Sequence, residues 1–325
     1  MTPDIFRHLV AKASLAPSVH NVQPARWRLD GDTVLLCEDT SVRLPTADPK
    51  GQDAATSLGA AFEGLSLAAS EKGLSARYET VSDQGAGNIR VVARLSFTNG
   101  ASPDPLAAHV TARQSWRGAF ATVAPTDRDA AMTLAASDCS VLTDPDAIAA
   151  VATLLDKASF KFMAQHDFRA ELVSWMRLKR SHPDWAKNGL NADAMHLGWV
   201  ERFGARFVMG PGFKPLNALG LAAPLLAETD KTKGAAGIIA FHRPYGEDLF
   251  DSGRAFYRAW LRMEAAGFGA TVLAALKDDK DTASVLSGKA RVPEGHHLLS
   301  AFRIGRRTSH QPVARARQSL EELIL

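Results

Sequence analysis

Two stretches of this 325-residue chain align without a gap: SLGAAFEGLSLAASEKGL at 57–74 and DSGRAFYRAWLRMEAAGF at 251–268. Gly59 falls on Gly253, Phe62 on Phe256, Leu67 on Leu261 and Gly73 on Gly267, a constant offset of 194 (253 − 59). Each reads as a helix with small residues along it and a glycine placed to end it. A strand-like run follows each, NIRVVARLSF at 88–97 and HHLLSAFRIG at 296–305. Such a repeat points to two similar halves, an intramolecular version of a two-fold dimer.

Composition closes off several classes. With 46% apolar and 22% charged residues, the chain has an ordinary globular make-up. A formal charge of +3 gives no general field for nucleic acid or an anionic membrane, so any anion site must be local. Cys37 and Cys139 make neither a disulfide framework nor a zinc motif. MTPDIFRHLVAKAS lacks a signal peptide's apolar core. The longest apolar run, ALGLAAPLL at 218–226, is too short to span a bilayer and contains Pro224. The expectation is a cytoplasmic protein with a small-molecule partner, and with no nucleic acid, membrane or metal.

The spacing predicts a helix over 3–15 closed by Pro17, then a hairpin in ARWRLDGDTVLLCED turning at Asp30-Gly31-Asp32. Further helices are expected in 126–137, 146–165, 168–180 and 248–268, with a buried strand at GIIAF, 237–241. Residues 182–235, rich in Gly, Pro, Asn and Trp without a steady period, read as an excursion fit to cover a site. Trp185, Trp199 and Phe207 are its expected wall residues. The Phe256, Trp260, Met263 stripe reads as core. His296 and His297 face opposite sides of a strand and make poor joint metal ligands. KDDKD at 277–281 lacks the calcium-loop pattern.

Between the first helix and the hairpin lies LAPSVHNVQPARW, residues 15–27. It gathers Ser18, His20, Asn21 and Gln23, all able to donate or accept hydrogen bonds. Asn21 and Gln23 suit the edge of a flat, polar ligand. His20 reads as a structural hydrogen-bonder rather than an acid.

Three features together resemble the FMN-dependent nitroreductase superfamily, in its long single-chain Acg-like branch. APSVHNVQPARW (16–27) is similar to the family's Pro-Ser loop, RQSWRGAF (113–120) to its Arg-x-Ser-x-Arg phosphate motif, and FRIGRR (302–307) to its basic C-terminal strand. The helix at 251–270 resembles the family's central helix and glycine turn. The resemblance implies an α+β fold, a mixed sheet flanked by helices, with FMN where the halves meet. It implies a first half, 1–108, with the ring-side loop, and a second half, 109–325, with the phosphate motif and the 182–235 lid. Arg113, Ser115 and Arg117 would hold the phosphate, with Arg303 and Arg306 or Arg307 completing the cage. Gly267 and Gly269 would bring a backbone N–H to flavin N5. Ser18 would bond the ribityl chain or phosphate.

No side chain reads as a catalytic base. Only one complete site can be assembled, because the first half lacks Arg-x-Ser-x-Arg and the second half's counterpart loop, 135–147, lacks the Pro-Ser pattern. One FMN per chain is expected, in a monomer with an internal pseudo-dimer or a weak homo-oligomer. NADPH or NADH would be the transient hydride donor, and a nitroaromatic or quinone the acceptor. A lidded protein that stores FMN is the alternative. The family's Trp after Gln-Pro is here Ala25, with Trp27 two positions on.

Overall fold

The computed structural model describes residues 1–81, 87–309 and 315–325. The first half starts with α1 (Pro3–Ala13), followed by the hairpin β1 (Ala25–Asp30) and β2 (Thr33–Asp39), whose turn places Gly31 at φ 60°. Then come α2 (Gln52–Glu71), β3 (Leu74–Thr80) and β4 (Ile89–Asn99). These strands form an antiparallel sheet in the order β1-β2-β4-β3.

The second half opens with α3 (Pro125–Met132), β5 (Cys139–Leu142), α4 (Pro145–Met163) and α5 (His166–Trp175). The excursion follows. It contains a two-stranded parallel pair, β6 (Met176–Arg177) and β7 (Leu190–Asn191). Its helices are α6 (Trp199–Met209), α7 (Phe213–Ala218), α8 (Ala222–Leu226) and α9 (Thr229–Lys233). The chain then runs through β8 (Gly237–Pro244), α10 (Leu249–Ala265), β9 (Gly269–Val272), α11 (Ala275–Asp278), α12 (Lys280–Lys289), β10 (His296–Gly305) and α13 (Leu320–Leu323).

The second sheet has the order β5-β8-β10-β9, again antiparallel throughout. Each sheet is thus built as first, second, fourth, third strand, with the long helix, α2 or α10, between the second and the third. Each sheet also gains one parallel bridge. Ile324 joins Trp27 of β1, and Ser115 joins Ala270 of β9, so both sheets are mixed at that point.

α2 and α10 pack on each other through the repeated glycines. A Cβ on Gly59 would stand 1.9 Å from the Phe250 carbonyl oxygen, and one on Gly253 would stand 2.1 Å from that of Thr56. Thr56 and Phe250 are themselves separated by 194, so the contact is reciprocal in the way a two-fold interface is. Both positions admit glycine alone, because backbone cannot yield as a flexible side chain can. Gly73 and Gly267 end the two long helices with φ of 72° and 78°, the left-handed turn that glycine adopts freely. Across the helix pair, buried Glu63 accepts from Arg254 at 3.0 Å and Arg258 at 2.8 Å.

The cores follow from strand alternation. On the second sheet, Ile239, Phe241, Phe302 and Ile304 face α10, while Ile238, Ala240, Leu298 and Ala301 face α4, α11 and α12. Burial on both faces explains why GIIAF is continuously apolar. The first sheet packs its main face on α1 and α2, and Phe250, Tyr257 and Leu261 of α10 join that core. The 135–147 stretch, read as the counterpart of the Pro-Ser loop without its pattern, holds β5, the strand in β1's place in the second sheet.

Candidate functional site

A cavity of ≈ 800 Å³ lies where the two halves meet. Its walls come from the Pro17–Asn21 loop, the start of α2, residues 113–117, the end of α4 with α5, β7, α10, the turn after β9, β10 and the C-terminal tail. Phe162, Phe168, Phe256, Trp260, Val272 and Leu298 supply apolar wall. Phe256 and Trp260 therefore do more than fill the core.

The loop is backbone-strained. His20, Asn21 and Gln23 have φ of 48°, 56° and 54°, a left-handed cluster of non-glycine residues. Each costs on the order of 1–3 kcal/mol and persists only where the surroundings fix it. Here Ser18 Oγ accepts from the Gln23 N–H at 3.0 Å. Asn21 Nδ2 donates to the carbonyls of Gly189 (3.2 Å) and Ala316 (3.0 Å), and its Oδ1 accepts from Arg317 Nη1 at 2.8 Å. Gln23 Nε2 donates to the Lys187 carbonyl at 2.8 Å, and Oε1 accepts from the Gln318 N–H at 3.1 Å. Asn21 and Gln23 thus knit loop, excursion and tail together rather than offering free groups to a ligand. Gln23 does not line the cavity, whereas Ser18, His20 and Asn21 do.

Three guanidinium groups crowd one part of the wall. Arg113 is 2% exposed; its guanidinium lies 4.7 Å from the Trp260 ring centroid and 5.4 Å from that of Tyr257. It donates to the Leu15 carbonyl, while its Nε has no partner. Arg315 donates to the Ala112 carbonyl at 3.1 Å. Arg317 donates to Asn21 and the Ala316 carbonyl, and its buried Nε is unpaired. Burial, then Arg113 and Arg315, push Arg317 down to about 9; burial and Arg113 also lower Arg315. All three remain charged at neutral pH. No carboxylate forms an ion pair with any of them among the described residues, which is a standing demand for an anion. Ser115 lines the same cavity, and so does Gln114, whose buried Oε1 has no partner.

Arg117 also lines the cavity but stands apart. It has no hydrogen-bond partner among the described residues. Its charged neighbours are Glu228 and Arg303, and its charge acts on His20 and His196. Burial first, then Arg117, lowers His20 to about 4, so its imidazole is neutral at pH 7. A third group lies along the wall. Lys277 Nζ bonds Asp53 Oδ1 and Asp278 Oδ1, both at 2.9 Å. Burial raises the Asp278 carboxyl above its ordinary range.

Arg303, Arg306, Gly267 and Gly269 lie off the cavity wall. Arg303 is fully buried and donates to Glu228 (3.0 Å) and Thr232 (3.1 Å). Arg306 donates to Asp127 at 3.0 Å and to the Ala266 carbonyl at 2.7 Å, and Arg307 pairs with Glu264. Gly267 is the α10 cap, and Gly269 packs beneath Trp116, where a Cβ would stand 3.0 Å from that side chain. Val272 and Ala274, a few residues further on, reach the cavity instead. In the excursion, Gly189–Asn191 and Ala194 form wall, but Trp185, Trp199 and Phe207 do not. Arg315 and Arg317 were not anticipated. Their alternation in Ala-Arg-Ala-Arg, which sends two like side chains to one side of an extended chain, was the available signal.

No family model matches the sequence. The chain is 34% identical over 79 residues to the Mycobacterium tuberculosis protein named as an NAD(P)H nitroreductase, Acg, in strains CDC 1551 and H37Rv. Over that segment the chain is similar to Acg. The match covers 24% of this chain and 24% of Acg, so the chain spans about a quarter of the length of the curated relatives it matches. Among solved structures, an Anabaena variabilis nitroreductase aligns over 94% of this chain and 88% of its own, with 9% identity and a TM-score of 0.44. A Bacteroides fragilis nitroreductase with bound FMN covers 66% of this chain and 95% of its own, at 10% identity and TM-score 0.37. The FMN-dependent NfnB of Mycobacterium smegmatis, in complex with NADPH, covers 66% and 94% at 17% identity and TM-score 0.36.

Proposed function

We propose that this chain is an FMN-dependent oxidoreductase that takes electrons from NADPH or NADH and gives them to a small organic acceptor, such as a nitroaromatic or quinone. The observation that carries the reading is the Arg113–Arg315–Arg317 group inside a cavity large enough for a flavin with room beside it. A phosphate monoester brings about two negative charges and three acceptor oxygens. It answers the unpaired Nε atoms of Arg113 and Arg317, with Ser115 as a neutral donor.

When bound, FMN supplies two-electron transfer at N5. The chain's own residues bind, orient and exclude water. Phe256, Trp260 and Val272 offer apolar wall for a flat ring, and Ser18 and the neutral His20 offer polar atoms beside it. Arg117 places a positive charge at a separate point of the cavity, suited to stabilising negative charge on a reduced ring. No catalytic side-chain base is required.

In this reading residues 1–108 and 109–325 stand for two subunits, and each chain holds one FMN. The test is flavin titration of the full chain. R315M and R317M should each weaken FMN roughly 10- to 100-fold, the loss of one charge-assisted contact. Unchanged affinity in both would sink the proposed phosphate site.

One observation favours storage of FMN as the second reading. The excursion is bonded to the loop and tail, through Gly189 and Lys187 to Asn21 and Gln23, and through Ala186 to Arg317. A wall so fixed restricts entry of a nicotinamide. Anaerobic mixing with NADPH and NADH decides: rapid bleaching supports the oxidoreductase, while persistent yellow with both supports storage.

A further inference from the structure

The excursion exposes an aromatic stripe that the cavity does not use. Trp199, Phe203 and Phe207 follow one another at four-residue spacing on α6 and are 76%, 73% and 53% exposed. At 100° per residue they occupy one side of the helix, with Val200. The opposite side buries Val208 and Met209. Leu219, Leu221 and Leu225, from α7 to α8, are also exposed. Large apolar residues scattered singly on a surface need no explanation, but this many within one short segment do.

Charge narrows the occupant. Between 198 and 226 the basic residues are Arg202, Arg206 and Lys214, and the one acid is Glu201. Arg202 is held by Asp193 at 2.6 Å. Glu201 lies about 160° from Phe203 around the helix and accepts the Gly198 N–H at 2.6 Å. Arg206, beside the stripe, and Lys214 remain exposed with no partner among the described residues. A second copy docking by the same face would set these cations against themselves with no acid to pair them. A surface that is apolar within and anionic at its edge satisfies both features.

We propose that this aromatic face of α6 docks peripherally on anionic phospholipid. α6 would lie in the plane of the interface, its aromatic rings at headgroup depth and Arg206 and Lys214 among the phosphates. No helix of the described residues is long and apolar enough to cross a membrane, so the association is with one leaflet. It does not depend on what the cavity holds.

Flotation of the full chain with vesicles tests this. The chain should float with 70:30 phosphatidylcholine:phosphatidylglycerol vesicles, hardly with phosphatidylcholine alone, and less in 0.5 M salt. F203S/F207S should abolish flotation. R206Q/K214Q should weaken it on the order of 20-fold, about fivefold per cation. The charge variant alters only exposed side chains, so it keeps the test decisive if the Phe variant folds poorly. Absence of binding to anionic vesicles overturns the proposal, as does binding unchanged in R206Q/K214Q. A dimer in sedimentation that F203S splits, with no vesicle binding, overturns it in favour of self-association.

Discussion

Gly59 and Gly253 show how one missing methyl group sets an architecture. Each lets the partner helix's carbonyl approach to a distance no Cβ could occupy. Gly59→Ala should therefore destabilise the chain by about 3 kcal/mol or more, or prevent folding, because two backbones must separate. Gly204, in the middle of α6 with open space around it, is the matched control. Gly204→Ala should stabilise by roughly 0.5–1 kcal/mol through helix propensity alone. Denaturant unfolding of both variants checks the contrast; similar effects would mean the close helix approach is absent. His20 makes a second residue-scale prediction. Its folded pKa of about 4 lies below the ordinary 6.5, so the unfolded chain binds the extra proton between those values. The stability it permits is complete above pH 6.5 and declines as pH falls toward 4. Melting temperature against pH should show this acid slope, and His20→Gln should flatten it. An unchanged slope would place the titrating group elsewhere.

At the scale of elements, the loop, the β7 end of the excursion and the C-terminal tail form one hydrogen-bonded unit. Arg315 belongs to its cationic group and, among the described residues, is tied by a single hydrogen bond, to the Ala112 carbonyl. Burial and Arg113 lower its pKa, so its charge costs stability at every pH near neutrality. R315M should raise the melting temperature of the ligand-free chain by about 1–2 °C while weakening FMN, a stability–function trade-off. A fall in both would mean Arg315 has a structural task instead. The long helices were legible in the sequence because small residues at a fixed offset leave a pattern that packing then uses. β3 and β5 were not: one is largely exposed and the other is four residues long, too little for a period to show. The Pro-Ser loop lines a cavity, but the duties of Asn21 and Gln23 were not readable. An amide bonds a backbone carbonyl and a ligand edge with the same atoms. Arg303 and Arg306 illustrate the converse, since cations in a basic strand end found Glu228 and Asp127, far away in sequence.

At the scale of the whole molecule, two sheets of the same strand order meet across α2 and α10, and the C-terminal segment crosses from the second to the first. Ile324 adds to the first sheet and Arg315–Arg317 reach the cavity at the junction. The tail's contribution depends on where it lands, some 200 residues beyond Arg113, which local pattern does not encode. The asymmetry of the halves has a direct consequence for stoichiometry. Loop and arginine group converge at one cavity among the described residues, and the segment before β5, the strand in β1's place, lacks the Pro-Ser pattern. Native mass spectrometry of freshly purified protein, before and after incubation with FMN and beside a visible spectrum, is the most direct measurement. A single FMN per chain with a flavin spectrum is the expected result, lost in an R113M/R315M variant that still folds. Two FMN per chain, or none after incubation, would contradict it.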